Sequence, residues 1–587
     1  MGPAAVRSEI KELIIMSDTH PDSCDPAHPT AVLTPEILDI FEALLRQPGD
    51  EAVLKTLQKG LRKSGPDWAV CYQQFHPKCH AALTAVLQHS GHFSSELCPL
   101  GAAQVCLRHG LYGEPVPVTA ERLTALASDS LCLLLLTEII NKNRPLERFL
   151  TRARSFLLGC HPEERTLLSS LRPLLIALAQ QGFNNEFVWP VTEVEEQAVS
   201  GLGEGLSRAL QAEDAALIEP LLLRYALYRP LASHPAAAVI AARAQSDFAC
   251  DLQPLLGRIL HEPLRELELR ETVPALEEVV NPVSRAVRAQ YEESPYPRWL
   301  KFTRTPKSLA DRITEWRPGF VWPREQPDQR LQVLVAGCGT GQHSLQVALG
   351  SPDADVLALD LSRASLAYAL RMTERYHARN LTFLQGDLLA LPRLGRKFHH
   401  IECAGVLHHI KDHAAAWAVL VDCLLPGGTM SIGVYSKAAR LLVSHLRSRI
   451  QREGLSATPA EVRHFRTRLF EEPAWAALVP LLERAGDIFS LSMTRDLLFH
   501  VQEHQYTVAE IERISGALGL ELIGVRFPRA LRERVQSGKP PIHLPVHTFA
   551  QWRACEQAYV GSLTMFHFWL HKPALTSSST TDNPPGA

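Results

Sequence analysis

The stretch HVQEH, residues 500–504, contains residue types that can hold and use a metal ion. On a helix, the two histidines would share one face and the glutamate between them would act as a base, so the order H-x-x-E-H is typical of certain zinc peptidases. A peptidase also needs a third ligand, usually a glutamate on another helix. The motif alone therefore predicts either a zinc site or a polar wall of a different site.

A second stretch with chemical potential is VLVAGCGTGQHSL, residues 333–345. An apolar run leads directly into Gly337, Gly339 and Gly341, and a helical pattern follows. Glycine permits a sharp turn and lets a ligand approach the backbone closely. The spacing is G-x-G-x-G, with Gln342 where the dinucleotide fingerprint has its third glycine, which argues against NAD.

Two acidic residues follow the next two predicted strands. Asp360 ends the run ADVLALD, nineteen residues after Gly341, where a carboxylate can bind both hydroxyls of a ribose. Asp387 follows LTFLQ, a position suited to the edge of an adenine ring. Open α/β sheets bind nucleotides at the carboxyl ends of their strands. The sequence therefore predicts a ligand that contains adenosine.

These motifs resemble those of class I S-adenosylmethionine-dependent methyltransferases, well over residues 331–436 and by pattern over 506–573. The resemblance implies a Rossmann-like α/β domain with a seven-stranded sheet, in which ELIGVRF is the sixth strand and MFHFWLHK the antiparallel last strand. It implies S-adenosylmethionine as the cofactor, with its amino-acid part at the glycine loop, its ribose at Asp360 and its adenine at Asp387. The predicted cofactor-binding residues are Gly337, Cys338, Gly339, Gly341, Asp360, Leu361, Asp387 and Leu388.

The segment IECAGVLHHIKDH, residues 401–413, follows the predicted fourth strand. In this family that loop lies beside the transferable methyl group, so His408 and His409 are predicted catalytic proton acceptors. The alternative is that these histidines only shape the cofactor pocket. His409, Asp412 and His413 offer a further alternative, a metal site, but no clear additional ligands accompany them, so we expect no metal.

Composition and charge limit the kinds of substrate and the cellular location that we expect. The loop reads AGVLHH in place of the Asn/Asp-Pro-Pro-Tyr/Phe motif of enzymes that methylate base nitrogens, and the formal net charge is -3. Both features argue against a nucleic-acid substrate. The twelve cysteines form no C-x-x-C pair, the longest apolar run (131–140) is too short to span a bilayer, and the N-terminus lacks a signal-peptide pattern. We therefore expect a cytoplasmic protein without membrane association.

The segments that must position these residues differ in the spacing of their apolar residues. Apolar residues three and four apart indicate helices before the sheet, either an array similar to tetratricopeptide repeats or an irregular bundle. β-rich and helical runs then alternate, as in a doubly wound parallel sheet. In chain order we predict a flexible leader (1–30), an α-helical tetratricopeptide-like region (31–273), an aromatic and proline-rich connector (274–330), the cofactor half of the methyltransferase core (331–436), a helical insert or lid (437–505), the C-terminal half of the core (506–573) and a disordered tail (574–587).

The connector contains QYEESPYPRW, residues 290–299. This segment resembles one in a bacterial group that joins a helical, tetratricopeptide-type N-terminal region to the methyltransferase domain. The resemblance implies that the segment covers the cofactor or substrate mouth, so Tyr291, Tyr296 and Trp299 are predicted to line the substrate pocket. The alternative is that these aromatics dock the helical region onto the catalytic domain.

The motif HVQEH ends the predicted insert, just before the sheet resumes. Thr507 is the predicted N-cap of the following helix, and Glu510 would complete a capping box. At this place His500 and His504 become further candidate proton acceptors, and Asp496 and Glu503 become candidate substrate contacts. The alternative is a capped, solvated turn.

The sequence thus predicts a methyltransferase that transfers a methyl group to a nucleophile on a bulky substrate. A peptide, a protein or a carrier-tethered metabolite would fit, recruited by the helical region. The alternative is a helical-repeat interaction scaffold with a regulatory or inactive S-adenosylmethionine-binding domain. A zinc peptidase is the third hypothesis.

Overall fold

The structure of the 587-residue chain is a computed structural model. It describes residues 33–63, 66–90, 96–113, 115–160, 165–243, 247–302, 307–326, 328–528, 531–532, 544–560 and 563–574. The predicted leader and nearly all of the predicted tail lie outside these ranges. None of the helices within the ranges is both long and apolar enough to cross a membrane.

A seven-stranded sheet organises the C-terminal part of the described chain, with strand order β3-β2-β1-β4-β5-β7-β6. Strands β1 to β5 pair in parallel, and β7 lies antiparallel between β5 and β6. This arrangement confirms the predicted α/β sheet and its antiparallel last strand. The strands are β1 (Leu331–Ala336), β2 (Ala354–Asp360), β3 (Leu381–Gln385), β4 (Phe398–Ala404), β5 (Leu424–Tyr435), β6 (Glu521–Arg526) and β7 (Met565–His571).

Helices cover both faces of the sheet, which explains why its central strands are apolar on both sides. Along β1, Val333 and Val335 join one hydrophobic cluster and Leu334 joins another on the opposite face. The first cluster includes residues of the helices Gln342–Gly350 and Arg363–Tyr376. The second includes residues of the helices His413–Cys423, Val508–Ala517 and Phe549–Ala558. The loops at the carboxyl ends of the strands remain free to build a site.

The chain before the sheet is helical, as predicted, and its apolar faces form one hydrophobic cluster. Whether the helices form tetratricopeptide repeats stays a prediction. The α-helices are Pro35–Arg46, Glu51–Lys63, Pro66–Gln73, Pro77–Ser90, Leu97–Arg108, Ala120–Ala127, Ser130–Glu138, Arg144–Gly159, Arg165–Ser170, Arg172–Asn184, Glu193–Gln211, Ala215–Ala226, Ala237–Ala242, Gln253–Leu256 and Glu262–Thr272.

The segment between β5 and the last helices of the sheet domain packs into this same cluster. The guanidinium of Arg466 donates to both carboxylate oxygens of Glu147 at 2.8 and 2.9 Å, and both side chains are buried. Arg463 donates to the carbonyl of Phe187 at 2.6 Å. The predicted insert is therefore built into the N-terminal helical core. Its α-helices are Leu441–Arg452, Pro459–Glu471, Val479–Ala485 and Leu491–Phe499.

The connector contains the helices Pro282–Glu293 and Leu309–Thr314 and is tied to the glycine loop. The hydroxyl of Thr340 donates to the carbonyl of Pro297, and the indole N–H of Trp299 donates to the carbonyl of Thr340 at 3.1 Å. The hydroxyl of Ser362 donates to the carbonyl of Tyr291 at 3.0 Å. These bonds hold the connector across the carboxyl ends of β1 and β2.

Candidate active site

A cavity of about 320 Å³ lies at the carboxyl ends of β1, β2, β4 and β5. It is bounded by the glycine loop, the ends of β2 and β5, the loops after β3 and β4, the connector and the end of the insert. Its lining includes Tyr291, Tyr296, Gly337, Gly339, Asp360, Asp387, His409, Tyr435 and Asp496. Residues of the connector are part of this lining; that the connector covers the mouth stays a prediction.

The glycine loop has the backbone that only glycine accommodates easily. Gly337 and Gly339 have φ values of +73° and +52°. A Cβ on Gly337 would lie 2.2 Å from Cγ2 of Val406, and one on Gly339 would lie 2.5 Å from the carbonyl oxygen of Tyr296. Both glycines and Cys338 line the cavity. The loop therefore lets the connector, the loop after β4 and a ligand all approach its backbone.

Gly341 has a packing role in the structure. It caps the helix Gln342–Gly350 with φ +81°, and a Cβ there would lie 2.5 Å from Cβ of Ala369. The absence of a side chain thus lets this helix lie close to its neighbour Arg363–Tyr376. Gly341 does not line the cavity, and its predicted contact with the cofactor stays a prediction.

The two predicted acids both line the cavity, as do Leu361 and Leu388. The carboxylate of Asp360 accepts hydrogen bonds from the backbone N–H of Gly339 at 2.7 Å and of Ser362 at 2.9 Å. Burial raises the pKa of Asp360 to about 6 despite these bonds. Asp387 accepts from the N–H of Leu389 at 3.0 Å. Two carboxylates and an apolar wall suit the hydroxyls and flat base of an adenosine.

The two adjacent histidines after β4 contact each other, with ring centroids 4.2 Å apart, but only His409 lines the cavity. His409 lines the cavity, so it stays a candidate proton acceptor. His408 stacks on Tyr435 with ring centroids 3.9 Å apart, and its Nδ1 accepts from the N–H of Tyr435 at 3.3 Å. His408 does not line the cavity, and its ring is fully buried. This placement favours the alternative that His408 only shapes the pocket.

HVQEH does not form the helical zinc signature. The helix Leu491–Phe499 ends one residue before His500, so the two histidines do not share a helix face. His500 bonds through Nε2 to the hydroxyl of Tyr291 at 3.2 Å, whereas Nε2 of His504 bonds to Glu510 at 2.9 Å. His504 does not line the cavity, and His500 stands behind Tyr291 rather than on the wall. The zinc-peptidase geometry is therefore wrong.

The helix after HVQEH begins as predicted, with one difference. The hydroxyl of Thr507 accepts from the N–H of Glu510 at 3.2 Å, so Thr507 is the N-cap. The carboxylate of Glu510 bonds to His504 instead of the N-cap backbone. The predicted capping box is therefore half formed, since the histidine takes the carboxylate.

Three of the five predicted substrate residues line the cavity: Tyr291, Tyr296 and Asp496. The hydroxyl of Tyr291 donates to Oδ1 of Asp496 at 2.7 Å. Burial raises the pKa of Asp496 to about 6, although the bond from Tyr291 and the charge of Arg440 oppose the shift. Asp496 is thus a buried acid beside the aromatic side chains of Tyr291 and Tyr296.

The other two predicted substrate residues face elsewhere. Trp299 is buried beneath the glycine loop, where its ring stacks on Phe302 with centroids 5.1 Å apart. The carboxylate of Glu503 accepts from Arg440 at 2.5 and 3.1 Å and from Arg447 at 3.2 Å. The predicted substrate contacts of Trp299 and Glu503 are corrected to structural roles, because their polar atoms are already bonded within the protein.

Some lining residues were missed from the sequence. Tyr435, the last residue of β5, lines the cavity, and the strand-end rule that selected Asp360 would have selected it too. Val283 and Val287 of the helix Pro282–Glu293 also line the cavity. No sequence signal indicated that this helix lines the cavity, because its position depends on how the connector packs.

The alternative metal set is divided by the fold. Asp412 caps the helix His413–Cys423 by accepting from the N–H of Ala415 at 3.0 Å. Two other sets in the described chain have possible ligand atoms within 4.8 Å of one another. The first is buried and joins His409, Asp496 and His500, and the second is partly exposed and joins His413, His504 and Glu510.

Comparison with known proteins identifies this class of site. Residues 333–428 match the family profile of a methyltransferase domain. The chain is 32% identical over 194 residues to a trans-aconitate 2-methyltransferase of Deinococcus radiodurans, covering 30% of this chain and 72% of that one. It is 36% identical over 125 residues to a tRNA (guanine-N(7)-)-methyltransferase of Rubrobacter xylanophilus, covering 20% and 56%.

Among solved structures, the chain matches PKMT2 from Rickettsia typhi in complex with AdoHcy, at 16% identity and a TM-score of 0.34. The similarity covers 47% of this chain and 55% of that one. The strand order, the site and the relatives agree, so the chain belongs to the class I S-adenosylmethionine-dependent methyltransferases. Its cofactor is S-adenosylmethionine, and the residues that would hold it are Gly337, Cys338, Gly339, Asp360, Leu361, Asp387 and Leu388.

Proposed function

We propose that this methyltransferase acts on a bulky substrate, such as a peptide, a protein or a carrier-tethered metabolite. The observation that carries the proposal is the continuous cavity that joins the cofactor acids, Asp360 and Asp387, to Asp496 of the insert. The insert shares its hydrophobic core with the N-terminal helices. A substrate bound by the helical region would therefore present its reacting group directly to the cavity.

The substrates named for the relatives differ from one another, so they do not decide the substrate here. Trans-aconitate and RNA are both anionic, whereas the cavity of this chain is lined by several carboxylates. Neither a small polycarboxylate nor a nucleic acid is therefore proposed. The scaffold alternative is not favoured, because the glycine loop and both cofactor acids line one cavity.

The cofactor, when bound, supplies a methyl group activated by a sulfonium. The chain supplies alignment and a place for the proton of the nucleophile. Tyr291 and Tyr296 exclude water from above, while His409 and Asp496 provide proton-accepting atoms on the wall. Enclosure by these residues also strengthens the electrostatic interactions inside the cavity.

The proposal is tested with tritiated methyl groups on S-adenosylmethionine. The purified protein is incubated with an extract of cells that lack it, and acid-precipitable label is separated from soluble label. We expect protein-dependent label in the precipitable fraction, and none with the Asp360→Ala variant. Label confined to small, soluble products would contradict the bulky substrate.

A further inference from the structure

Two imidazoles stack beside the cavity and are held in opposite tautomers. The ring centroids of His409 and His500 are 3.6 Å apart. The carbonyl of Gln502 accepts from Nδ1 of His409 at 2.8 Å, and the N–H of Gln502 donates to Nδ1 of His500 at 3.1 Å. A carbonyl only accepts and a backbone N–H only donates, so one residue fixes both rings.

The two tautomers give the rings different chemistry. His409 carries its proton on Nδ1, so its Nε2 keeps a free lone pair. His500 carries its proton on Nε2, which donates to the hydroxyl oxygen of Tyr291 at 3.2 Å. Burial lowers the pKa of both rings, that of His409 to about 4, so both are neutral near pH 7.

A directed chain of hydrogen bonds ends on Asp496. The proton of His500 Nε2 points to Tyr291, and the hydroxyl of Tyr291 donates to Oδ1 of Asp496. No described residue donates to Oδ2. Because Asp496 and His409 both line the cavity with possible ligand atoms within 4.8 Å, one small group can contact both.

These protonation states argue against a metal ion between His409, Asp496 and His500. A ligating histidine must offer an unprotonated nitrogen. In His500, Nδ1 is occupied by the N–H of Gln502 and Nε2 carries the proton, so neither nitrogen is available. The cluster is instead arranged to bind a positively charged hydrogen-bond donor and to take a proton from it.

The charge around the cavity favours such a donor. Arg440 and Arg447 stand nearby, but both are bound to the carboxylate of Glu503. Among the described lining residues the one lysine, Lys411, is exposed. Asp360 and Asp387 are placed for the cofactor, which leaves the buried charge of Asp496 for the substrate. The lining carboxylates are Asp360, Asp387, Asp412 and Asp496.

We propose that the group methylated is an amine, bound as its ammonium form and deprotonated by the carboxylate of Asp496, while Nε2 of His409 accepts a second N–H and orients the nitrogen. This inference rests on the proposed function and names the reacting group of its substrate. The rings of Tyr291 and Tyr296, with centroids 6.4 Å apart, add aromatic faces that attract a cation. A carboxylate also makes its strongest hydrogen bonds to a charged donor.

The step balances with the groups present. One N–H proton passes from the ammonium to the carboxylate of Asp496, which frees the nitrogen lone pair. That lone pair forms the new nitrogen–carbon bond, while the carbon–sulfur bond of the cofactor breaks and leaves its electron pair on sulfur. The methylated nitrogen is again positively charged, and Asp496 returns its proton to solvent.

The chemical stability of the transferred label tests this assignment. Products labelled from tritiated S-adenosylmethionine in the extract are treated with alkali and, separately, hydrolysed in strong acid and separated. We expect acid-stable N-methyl amines. Label released by alkali as methanol, or found on oxygen, sulfur or carbon, would overturn the amine while leaving the methyltransferase intact. Absence of any transfer would overturn both proposals.

Asp496→Asn provides the matched variant, because an asparagine of the same shape still accepts from Tyr291. We expect N-methylation to fall about 10²-fold, with cofactor affinity by calorimetry unchanged. A wild-type rate in this variant would contradict the role of Asp496. Should Asp496→Asn not fold, Asp496→Glu keeps the charge, and we expect it to retain N-methyl transfer; a switch to another product class would overturn the proposal.

Discussion

The hydroxyl of Tyr291 donates to the carboxylate of Asp496 at 2.7 Å, across 205 positions of the chain. Tyr291 belongs to the connector and Asp496 to the last helix of the insert. Both residues line the cavity, so their contact forms part of its wall. The insert, which is packed into the N-terminal helical core, therefore forms part of the site itself.

Asp496→Asn is expected to raise stability above about pH 6. The folded pKa of Asp496 is about 6 against an ordinary 3.8, so the folded state binds this proton more tightly than the unfolded state does. The cost of ionising it in the fold appears as pH rises from about 4 to 6 and is complete above that. The variant should gain about 2–3 kcal/mol at pH 8 and nearly nothing at pH 4. Equal stability at both pH values, by urea unfolding, would contradict this.

The ionisation of Asp496 should also set the acid limb of the profile of kcat against pH. Tyr291 and Arg440 favour its ionised form, whereas burial, Asp487 and Glu503 oppose it. We expect kcat at saturating cofactor to fall below about pH 6 in the wild type. Saturation matters because Asp360 has a similarly raised pKa in the cavity. If kcat of Asp496→Asn falls at low pH as it does in the wild type, another group sets the acid limb.

Gly339→Ala should weaken cofactor binding at least tenfold. Its Cβ would lie 2.5 Å from the carbonyl oxygen of Tyr296, so either the loop or the connector must move. Gly395→Ala is the control, since Gly395 also has positive φ (+60°) but has open space around it. Similar losses of S-adenosylmethionine affinity by calorimetry in both variants would show that backbone strain, not the connector contact, is responsible.

His409→Ala and His504→Ala should show which of the two histidines acts at the cavity. His409 lines the cavity and is placed to accept a hydrogen bond from the amine, so we expect its loss to lower kcat about tenfold. The side chain of His504 bonds to Glu510 outside the cavity wall, so its loss should leave kcat unchanged. The opposite ranking would place the contact with the amine on the HVQEH segment.

Glu147→Gln should destabilise the helical core by about 3 kcal/mol or more, because it leaves the buried charge of Arg466 without its partner. Urea unfolding followed by tryptophan fluorescence measures the loss. Glu51→Gln removes one member of the exposed pair with Lys55 and should leave the unfolding midpoint unchanged. Equal effects would mean that the insert and the N-terminal helices are not joined through this pair.

The cofactor half of the site was readable from sequence, because its residues follow strands at short, fixed intervals. Gly337, Asp360 and Asp387 occupy the carboxyl ends of neighbouring strands, so the sheet order brings them together. The substrate half depends on packing between distant segments. His408 and His409 are adjacent in a 3-10 turn and contact each other, yet His408 stacks on Tyr435 whereas His409 stacks on His500, a difference that depends on distant segments. Trp299 was misplaced for a related reason: its type suited a pocket, but its indole bonds beneath the loop.

The central claim is that the cavity at Asp360 binds S-adenosylmethionine and makes the protein a methyltransferase. Isothermal titration of S-adenosylmethionine into the wild type, Asp360→Ala and Asp422→Ala tests it most directly. Asp422 is an exposed aspartate on the helix His413–Cys423 and serves as the matched control. We predict equal affinity for the wild type and Asp422→Ala and at least tenfold weaker binding to Asp360→Ala. Equal binding by all three proteins, or none by the wild type, would contradict the account.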